Sequence, residues 1–290
     1  DPDVVVADLQ PIVSVAAALD AIPSASVLNL ELLSFPLAGW LPGLERILGE
    51  LEVPRWAARR LFGDTLVVAD TPFLTGLRDL PPELTARIAA SVRELRFVGP
   101  ILGERPPRRR IAGRPRPEVI VSLGGGGSAH LLDIVAGCAA VEADLVVIAP
   151  HPPHELARTA DELRRSGHGV TIVDFLPDFA RRIAEADALI THGGHGTLSL
   201  ALALAVPTLV IPTSVEQEIN ARRLHGVGVV GSPNRSAIRS TVGGQLAALL
   251  RDRASDPARA RLAESLAMYD GARDAALVVR QLAGAPPVGG

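Results

Sequence analysis

Short apolar segments rich in β-branched residues alternate with helical segments along the whole chain. In the first hundred residues these segments are Val4–Val6, Ser26–Leu28, Leu66–Val68 and Arg96–Val98. From residue 118 onward they are Val119–Leu123, Leu145–Ile148, Val170–Val173, Ala188–Thr191, Thr208–Ile211 and Val227–Val230. Strands that alternate with helices pair in parallel, because each helix carries the chain back across the sheet before the next strand begins. The pattern therefore predicts an α/β protein with two doubly wound parallel sheets.

A segment with little to bury separates the two series of strands. Residues 101–117 contain four prolines and six arginines, and we predict that they form a linker. An arginine-rich patch for nucleic acid is the alternative, but no aromatic residues are interleaved. The predicted lobes are then residues 1–100 and 118–290. Because the first series has four strands and the chain begins within one of them, we expect that an upstream segment of the first lobe is missing.

Charge and cysteine content narrow the class of partner. The chain has 29 basic and 32 acidic residues, a balance that gives no electrostatic footprint for nucleic acid or an anionic membrane. A small-molecule partner is therefore expected. Every basic residue is arginine, which excludes lysine Schiff-base chemistry and a Walker-type phosphate loop. The single cysteine, Cys138, lies in an apolar run and is predicted to be a packed, protonated thiol.

One long segment without acidic or basic residues, apart from two histidines, resembles a membrane span in its hydropathy. It lies between Asp187 and Glu216, but three glycines and the prolines Pro207 and Pro212 interrupt it. No continuous helix of about 20 residues is left, so we predict no transmembrane segment. The chain shows no recognisable signal peptide at its start, and a cytoplasmic location is expected.

The first candidate site is a glycine-rich turn, Ser122-Leu-Gly-Gly-Gly-Gly-Ser128, that follows the opening strand of the second lobe. Glycines such as Gly125 and Gly126 let the backbone approach a ligand closely. The helix predicted to begin near Ala129 directs backbone N–H groups toward an anion. A tight turn alone accounts for one or two of the glycines but does not easily account for four.

The second candidate site is the loop Thr191-His-Gly-Gly-His-Gly-Thr197, which lies between a predicted strand and a helix predicted over 198–205. Its glycines are Gly193, Gly194 and Gly196. A phosphate placed there would meet backbone N–H groups, the Thr197 hydroxyl and the His192 imidazole without any lysine. Two structural alternatives remain open: His192 caps the turn, and His195 faces solvent.

Four ordered motifs resemble those of one enzyme family. They are Phe175-Leu-Pro-Asp178, His192-Gly-Gly-His-Gly-Thr197, Val206-Pro207 and Glu216-Gln-Glu-Ile-Asn-Ala221. Their order and spacing are similar to those of the nucleotide-sugar-dependent glycosyltransferases with two Rossmann-like lobes, the GT-B fold, and of the family-1 enzymes in particular. The resemblance covers most of residues 1–284. It implies an inverting hexosyltransferase that takes a UDP- or dTDP-sugar as co-substrate, uses no other cofactor and glycosylates a small-molecule hydroxyl.

The resemblance also implies a role for each motif residue. Phe175 would stack on the donor base while the backbone of Leu176 bonds the edge of that base. His192 and Thr197 would hold the diphosphate. The acid–glutamine pair, Glu216 and Gln217, would hold donor sugar hydroxyls.

No metal site is predicted. His151 and His154 could supply two imidazoles, but the sequence shows no third ligand for a metal ion. The acidic segment Asp1-Pro-Asp3 precedes its strand rather than following it.

The chain departs from the family pattern at two positions and lacks the family's catalytic histidine. Leu200 stands where many relatives carry a glutamate that binds the donor ribose, and Ala205 replaces the usual glycine before Val206. Asp8 matches an aspartate that orients a catalytic histidine in the family, but that histidine would lie upstream of Asp1. Asp8 is therefore either a relay carboxylate without its partner or a strand-end residue that caps the helix from Pro11 onward.

Two other functions compete with a glycosyltransferase. A non-hydrolysing nucleotide-sugar epimerase would share the two-lobe fold and the phosphate loop. A non-catalytic donor-binding or accessory subunit would explain why the base is missing.

Three further aspartates, Asp20, Asp70 and Asp79, lie in helix or turn contexts without motif support and are expected to be solvated.

Overall fold

The chain forms two compact α/β units in the computed structural model. The structure describes residues 2–8, 10–29, 36–74, 80, 82–124, 128–225, 229–231, 237–252 and 254–284, with the side chains of some of these left out. One unit comprises residues 1–103 together with 268–290, and the other comprises residues 104–267. Every strand pairing within the described residues is parallel, which confirms the predicted fold class.

The first unit contains a four-stranded sheet with the strands in sequential order. Its strands are β1 (Val5–Asp8), β2 (Ser24–Leu28), β3 (Thr65–Val68) and β4 (Glu94–Phe97). The helices between them are α1 (Pro11–Leu19), α2 (Pro36–Glu50), α3 (Arg55–Ala58) and α4 (Pro82–Ser91). Side chains from both kinds of element, among them Leu28, Phe62, Leu66 and Ile88, form one apolar core.

The second unit contains a six-stranded sheet in the order β10-β9-β8-β5-β6-β7. Its strands are β5 (Glu118–Ser122), β6 (Asp144–Ile148), β7 (Val170–Val173), β8 (Ala188–Thr191), β9 (Thr208–Val210) and β10 (Val229–Gly231). Its helices are α5 (Ser128–Gly137), α6 (His154–Arg165), α7 (Phe179–Glu185), α8 (His195–Ala203), α9 (Val215–Arg223), α10 (Ile238–Arg251) and α11 (Asp256–Ala267). The winding reverses between β5 and β8, which is where open α/β sheets bind ligands.

The end of the chain differs from the prediction of a single last helix over 258–282. The helix stops at Ala267, and a new helix, α12 (Gly271–Leu282), begins after Asp270. The Asp270 carboxylate accepts the Arg273 N–H at 3.2 Å and so caps the new helix. Sequence periodicity did not show this break because both halves are good helix formers.

The last helix packs on the first sheet, whereas the strand pattern predicts it in the second lobe. Val278 lies in one apolar cluster with Ala25, Val67 and Val98 of the first unit. Gly271 touches the carbonyl oxygen of Pro100 so closely that no side chain would fit there. The chain therefore returns to its first unit after completing the second.

The segment predicted as a linker is anchored to the second unit by its arginines. Arg108 and Arg114 donate hydrogen bonds to the carbonyls of Ala184 and Glu185, at the C-terminal end of α7. Positive groups at this position stabilise the helix dipole. Burial lowers the pKa of Arg108 to about 10, and the nearby Arg110 acts in the same direction. These arginines are structural, and the segment has more to bury than its composition indicated.

Two expectations about single side chains have opposite outcomes. Cys138 is buried, and burial raises the pKa of its thiol to about 12, as predicted for a packed thiol. Asp70 was expected to be solvated but is buried, and its carboxylate accepts the Thr71 N–H at 2.8 Å. Asp79 lies outside the described residues.

None of the helices in the described part of the chain is both long and apolar enough to cross a membrane.

Candidate functional site

The two glycine-rich turns lie side by side at the carboxyl edge of the second sheet. Ser122, the last residue of β5, is directly opposite Thr191, the last residue of β8. A Cβ on Gly124 would lie 2.9 Å from Cε1 of His192, so the first turn contacts the second. The remaining residues assigned to the first turn, Gly125, Gly126 and the Ser128 side chain, lie outside the described residues.

The second loop is shorter than predicted. Helix α8 begins at His195 rather than at Leu198, so Gly196 and Thr197 belong to its first turn. The glycines hide this start in the sequence because they are poor helix formers. The N-cap is Gly194, which brings no capping side chain. Since the first N–H groups of a helix have no partner within it, this end is suited to an anion.

His192 is a half-buried imidazole placed at this helix end. A Cβ on Gly194 would lie 2.6 Å from its Nε2. Burial lowers the pKa of His192, while the Ser122 backbone and the negative charge of Glu216 oppose that shift. Its Nδ1 is buried and forms no hydrogen bond of ordinary geometry to any described residue. The lowered pKa favours the neutral form of the ring, which has one N–H to donate.

No side chain caps the start of α8. The Ser122 backbone interacts with the His192 ring, so the alternative that His192 caps the turn stays open. His195, which the sequence left open to solvent, is half-buried as the first residue of that helix.

The acid–glutamine pair, Glu216 and Gln217, lies in the first turn of α9, and side-chain hydrogen bonds hold this turn in place. The side chains of Ser214 and Gln217 form a reciprocal capping box. The Gln217 Oε1 accepts from the Thr213 backbone N–H at 2.7 Å and from the Thr213 hydroxyl at 2.9 Å. This oxygen is held by the fold, so the amide NH₂ is the group that Gln217 can offer to a ligand. Glu216, beside it, is half-buried.

Asn220 was not identified from the sequence although it contacts the second loop. It is 4% exposed, and its Nδ2 donates to the Gly193 carbonyl at 3.0 Å. The only indication in the sequence is its place in the fourth motif. A buried asparagine in a helix has no periodicity that sets it apart from a solvated one.

The other predicted donor contacts lie along the same edge but further from His192. Phe175 follows β7 and is 75% exposed, whereas Leu176 is buried. Three strand spacings separate β7 from β8, which is about 14 Å. Leu200, in the position of the family's ribose-binding glutamate, is 9% exposed on α8.

Asp8 lies in the first unit, exposed at the end of β1. The N-cap of α1 is Gln10 and there is no side-chain capping bond, so Asp8 does not cap that helix. All seven histidines of the chain lie between residues 130 and 225, within the second unit. The first unit therefore has no histidine of its own for Asp8 to orient.

His151 and His154 are both exposed. In the part of the chain that the structure describes, no three His, Cys, Asp or Glu side chains are grouped closely enough to hold a metal ion.

Comparison with known proteins finds a similarity to glycosyltransferases. Residues 133–275 match the model of the erythromycin biosynthesis protein CIII-like, C-terminal domain. Over 188 residues the chain is 32% identical to the zeaxanthin glucosyltransferase of Pseudescherichia vulneris, covering 64% of this chain and 45% of that protein. Over 198 residues it is 30% identical to the elloramycin glycosyltransferase ElmGT of Streptomyces olivaceus, covering 66% and 46%. Over this part of its length the chain is therefore similar to glycosyltransferases. It matches about half the length of these relatives.

Solved structures show the same fold. The glycosyltransferase SnogD from Streptomyces nogalater superposes with a TM-score of 0.67 at 26% identity, covering 97% of this chain and 73% of that chain. The predicted GT-B fold of the family is thereby confirmed.

Proposed function

We propose that the chain carries the donor-binding half of an inverting glycosyltransferase. It would bind a nucleoside diphosphate sugar at the carboxyl ends of β5 and β8 and serve transfer to a small-molecule hydroxyl. The observation that carries this proposal is the meeting of His192, Gly124 and the uncapped start of α8 at the switch point of the second sheet.

The geometry is suited to the charge that develops in the reaction. As the glycosidic bond breaks, the nucleoside diphosphate gains negative charge. Backbone dipoles at the start of α8 and the N–H of neutral His192 stabilise that charge more in the transition state than in the ground state. Because these groups are already held in place, little reorganisation is needed when the bond breaks.

The neighbouring helix supplies groups for the sugar. The Glu216 carboxylate accepts hydrogen bonds from hydroxyls, and the Gln217 NH₂ donates to them, since its oxygen is engaged with Thr213. Phe175 provides an exposed face for the base. Because Leu200 cannot accept a hydrogen bond, ribose hydroxyls would be recognised elsewhere or weakly.

A second candidate is a donor-binding subunit without transferase activity of its own. In such a subunit Asp8 would have no histidine to orient, since all seven histidines of the chain lie in the second unit. General-base assistance is worth about 10²–10⁴ in rate, so its loss would leave donor binding largely intact and remove most of the turnover.

The deciding experiment compares binding with turnover on the same preparation. UDP and dTDP are titrated calorimetrically, and a product assay is run with a panel of nucleotide sugars and hydroxyl acceptors. Thr197→Val serves as a shape-matched variant that removes one predicted phosphate contact and should weaken UDP binding. We expect the chain to bind a nucleoside diphosphate and to transfer sugar slowly. Absence of binding to either nucleotide would contradict the proposed function, and rapid transfer would contradict the second candidate.

A further inference from the structure

The side chain of Asn220 fixes one peptide plane in the second loop. Its Nδ2 donates to the carbonyl oxygen of Gly193 at 3.0 Å, and the asparagine is almost fully buried. The same peptide bond supplies the N–H of Gly194. In a trans peptide the C=O and N–H point in opposite directions. A carbonyl held toward α9 therefore directs the Gly194 N–H away from α9.

The backbone on the other side of this peptide plane is equally constrained. Gly193 has φ +90°, a conformation that residues with a Cβ rarely adopt. A Cβ at this position would lie 2.6 Å from Cγ1 of Val210 and 3.5 Å from the backbone oxygen of Gln217. The loop thus fits between β9 and α9, and Asn220 is the side chain that selects the direction of its carbonyl.

Gly194 is also the N-cap of α8 and contacts the His192 ring. A rotated 193–194 peptide would place a carbonyl oxygen where the N–H now points. An oxygen there repels a phosphate, whereas an N–H binds it.

We propose that Asn220 is a positioning residue for the anion site, which it serves by holding the Gly193 carbonyl so that the Gly194 N–H is presented to a diphosphate. It also ties the helix that carries Glu216 and Gln217 to the loop that carries His192. The inference rests on the proposed function, since the diphosphate is the ligand it would orient.

The test uses two variants of the whole chain. Asn220→Leu keeps a similar volume and removes the donor, and Asn220→Asp keeps the shape but replaces the donor with an acceptor. Dissociation constants for UDP and for uridine are measured by calorimetry. We expect UDP affinity to fall roughly 10- to 100-fold in both variants, as for loss of an oriented backbone donor. Uridine affinity should change less than about twofold, because uridine has no phosphate to contact the loop.

A matched control separates positioning from general loosening of α9. Ser214→Ala removes the cap of that helix but leaves the Asn220 bond in place. It should lower the melting temperature while changing UDP affinity less than about threefold. Equal UDP affinities of wild type and a folded Asn220→Leu would overturn the positioning role alone. Equal losses for UDP and uridine would also overturn it. Failure of the wild type to bind UDP or pyrophosphate would overturn both this role and the proposed function.

Discussion

The imidazole of His192 should link diphosphate binding to pH. In the free protein, burial lowers its pKa and so favours the neutral ring. A bound diphosphate raises the pKa again through its negative charge. Between the two values, binding takes up a proton, and the affinity for UDP rises as the pH falls. Calorimetric titrations between pH 7.5 and 5.5 should show this dependence in the wild type and not in His192→Ala.

At each pH, the dissociation constant of His192→Ala for UDP is divided by that of the wild type. This ratio cancels the contribution from titration of the UDP phosphate itself. His195→Ala should keep the dependence, because His192 is the only one of the two imidazoles to which we assign a diphosphate contact. The same slope in wild type and His192→Ala would show that the ring does not contact the phosphate.

Phe175 should matter for binding and not for stability. Its side chain is largely exposed, so Phe175→Ala removes little buried surface. If the ring stacks on the donor base, the change should cost about 1–3 kcal/mol of UDP binding. A melting curve and a UDP titration on the same sample separate the two effects. An unchanged dissociation constant would place the base elsewhere.

Single residues show where sequence reasoning succeeds and where it stops. His192 and Gln217 stand in motifs with a fixed spacing; in the structure His192 directly follows β8 and Gln217 lies in the first turn of α9. Asn220 and Asp70 were missed or misjudged because their burial depends on neighbours distant in sequence. Asparagine and aspartate look the same in a sequence whether they are solvated or bonded to the backbone.

At the scale of elements, the end of α8 offers a stabilising substitution. The N–H of Val206 bonds to the Ala201 carbonyl and that of Ala205 to the Leu202 carbonyl, which is the pattern of a Schellman motif. Ala205 therefore has φ +52°, where a Cβ is strained. Ala205→Gly should raise the free energy of unfolding by about 1 kcal/mol, measured by urea denaturation.

The control for this substitution is Ala203→Gly, two residues earlier and within the helix. It should lower the stability by roughly 0.5–1 kcal/mol, because glycine there only adds freedom to the unfolded chain. The same sign of change at both positions would mean that strain at Ala205 is not relieved by glycine.

The free edge of the first sheet should promote association. Within the described residues, β1 pairs with β2 alone. Val6 on this strand is 48% exposed, and Ile12 on the following helix is 57% exposed. Unpaired strand edges flanked by apolar side chains invite pairing with other chains. The double variant Val6→Lys, Ile12→Lys should lower the mass measured by light scattering at high concentration.

Met268→Lys is the matched control. Met268 is also highly exposed, but it is distant in sequence from β1 and α1. It should leave the measured mass unchanged. A monomeric wild type at all concentrations would contradict the prediction.

Elements were better predicted than their ends. Strands buried on both faces have continuous apolar runs, which is why nearly all of those in the second sheet were recognised at close to their observed bounds. Helix starts after glycines, such as His195, and the break at Asp270 depend on local capping and on contacts with the other end of the chain. Such contacts leave no periodic signal.

At the scale of the whole molecule, the boundary of the units could not be predicted from the linker alone. Composition marks residues 101–117 because proline and arginine are frequent there, yet the second unit already begins at Glu104. The return of α12 depends on an apolar face that contacts β2 and β3, and an amphipathic helix does not specify in sequence which sheet it will cover.

The chain passes from its first unit to its second and back again, and these two passages indicate where such proteins can be recombined. Gly99 lies against Tyr269, and Pro100 lies against Gly271, so the chain leaves its first unit and re-enters it at neighbouring points. Residues 104–267 are thus a cassette inserted into a host domain whose cut ends already touch. Replacing that cassette with the equivalent segment of a relative would keep these contacts within the host. We expect chimeras joined at both of these junctions to keep the fold of each parent's unit. Chimeras joined at a single junction would divide the first unit between two parents.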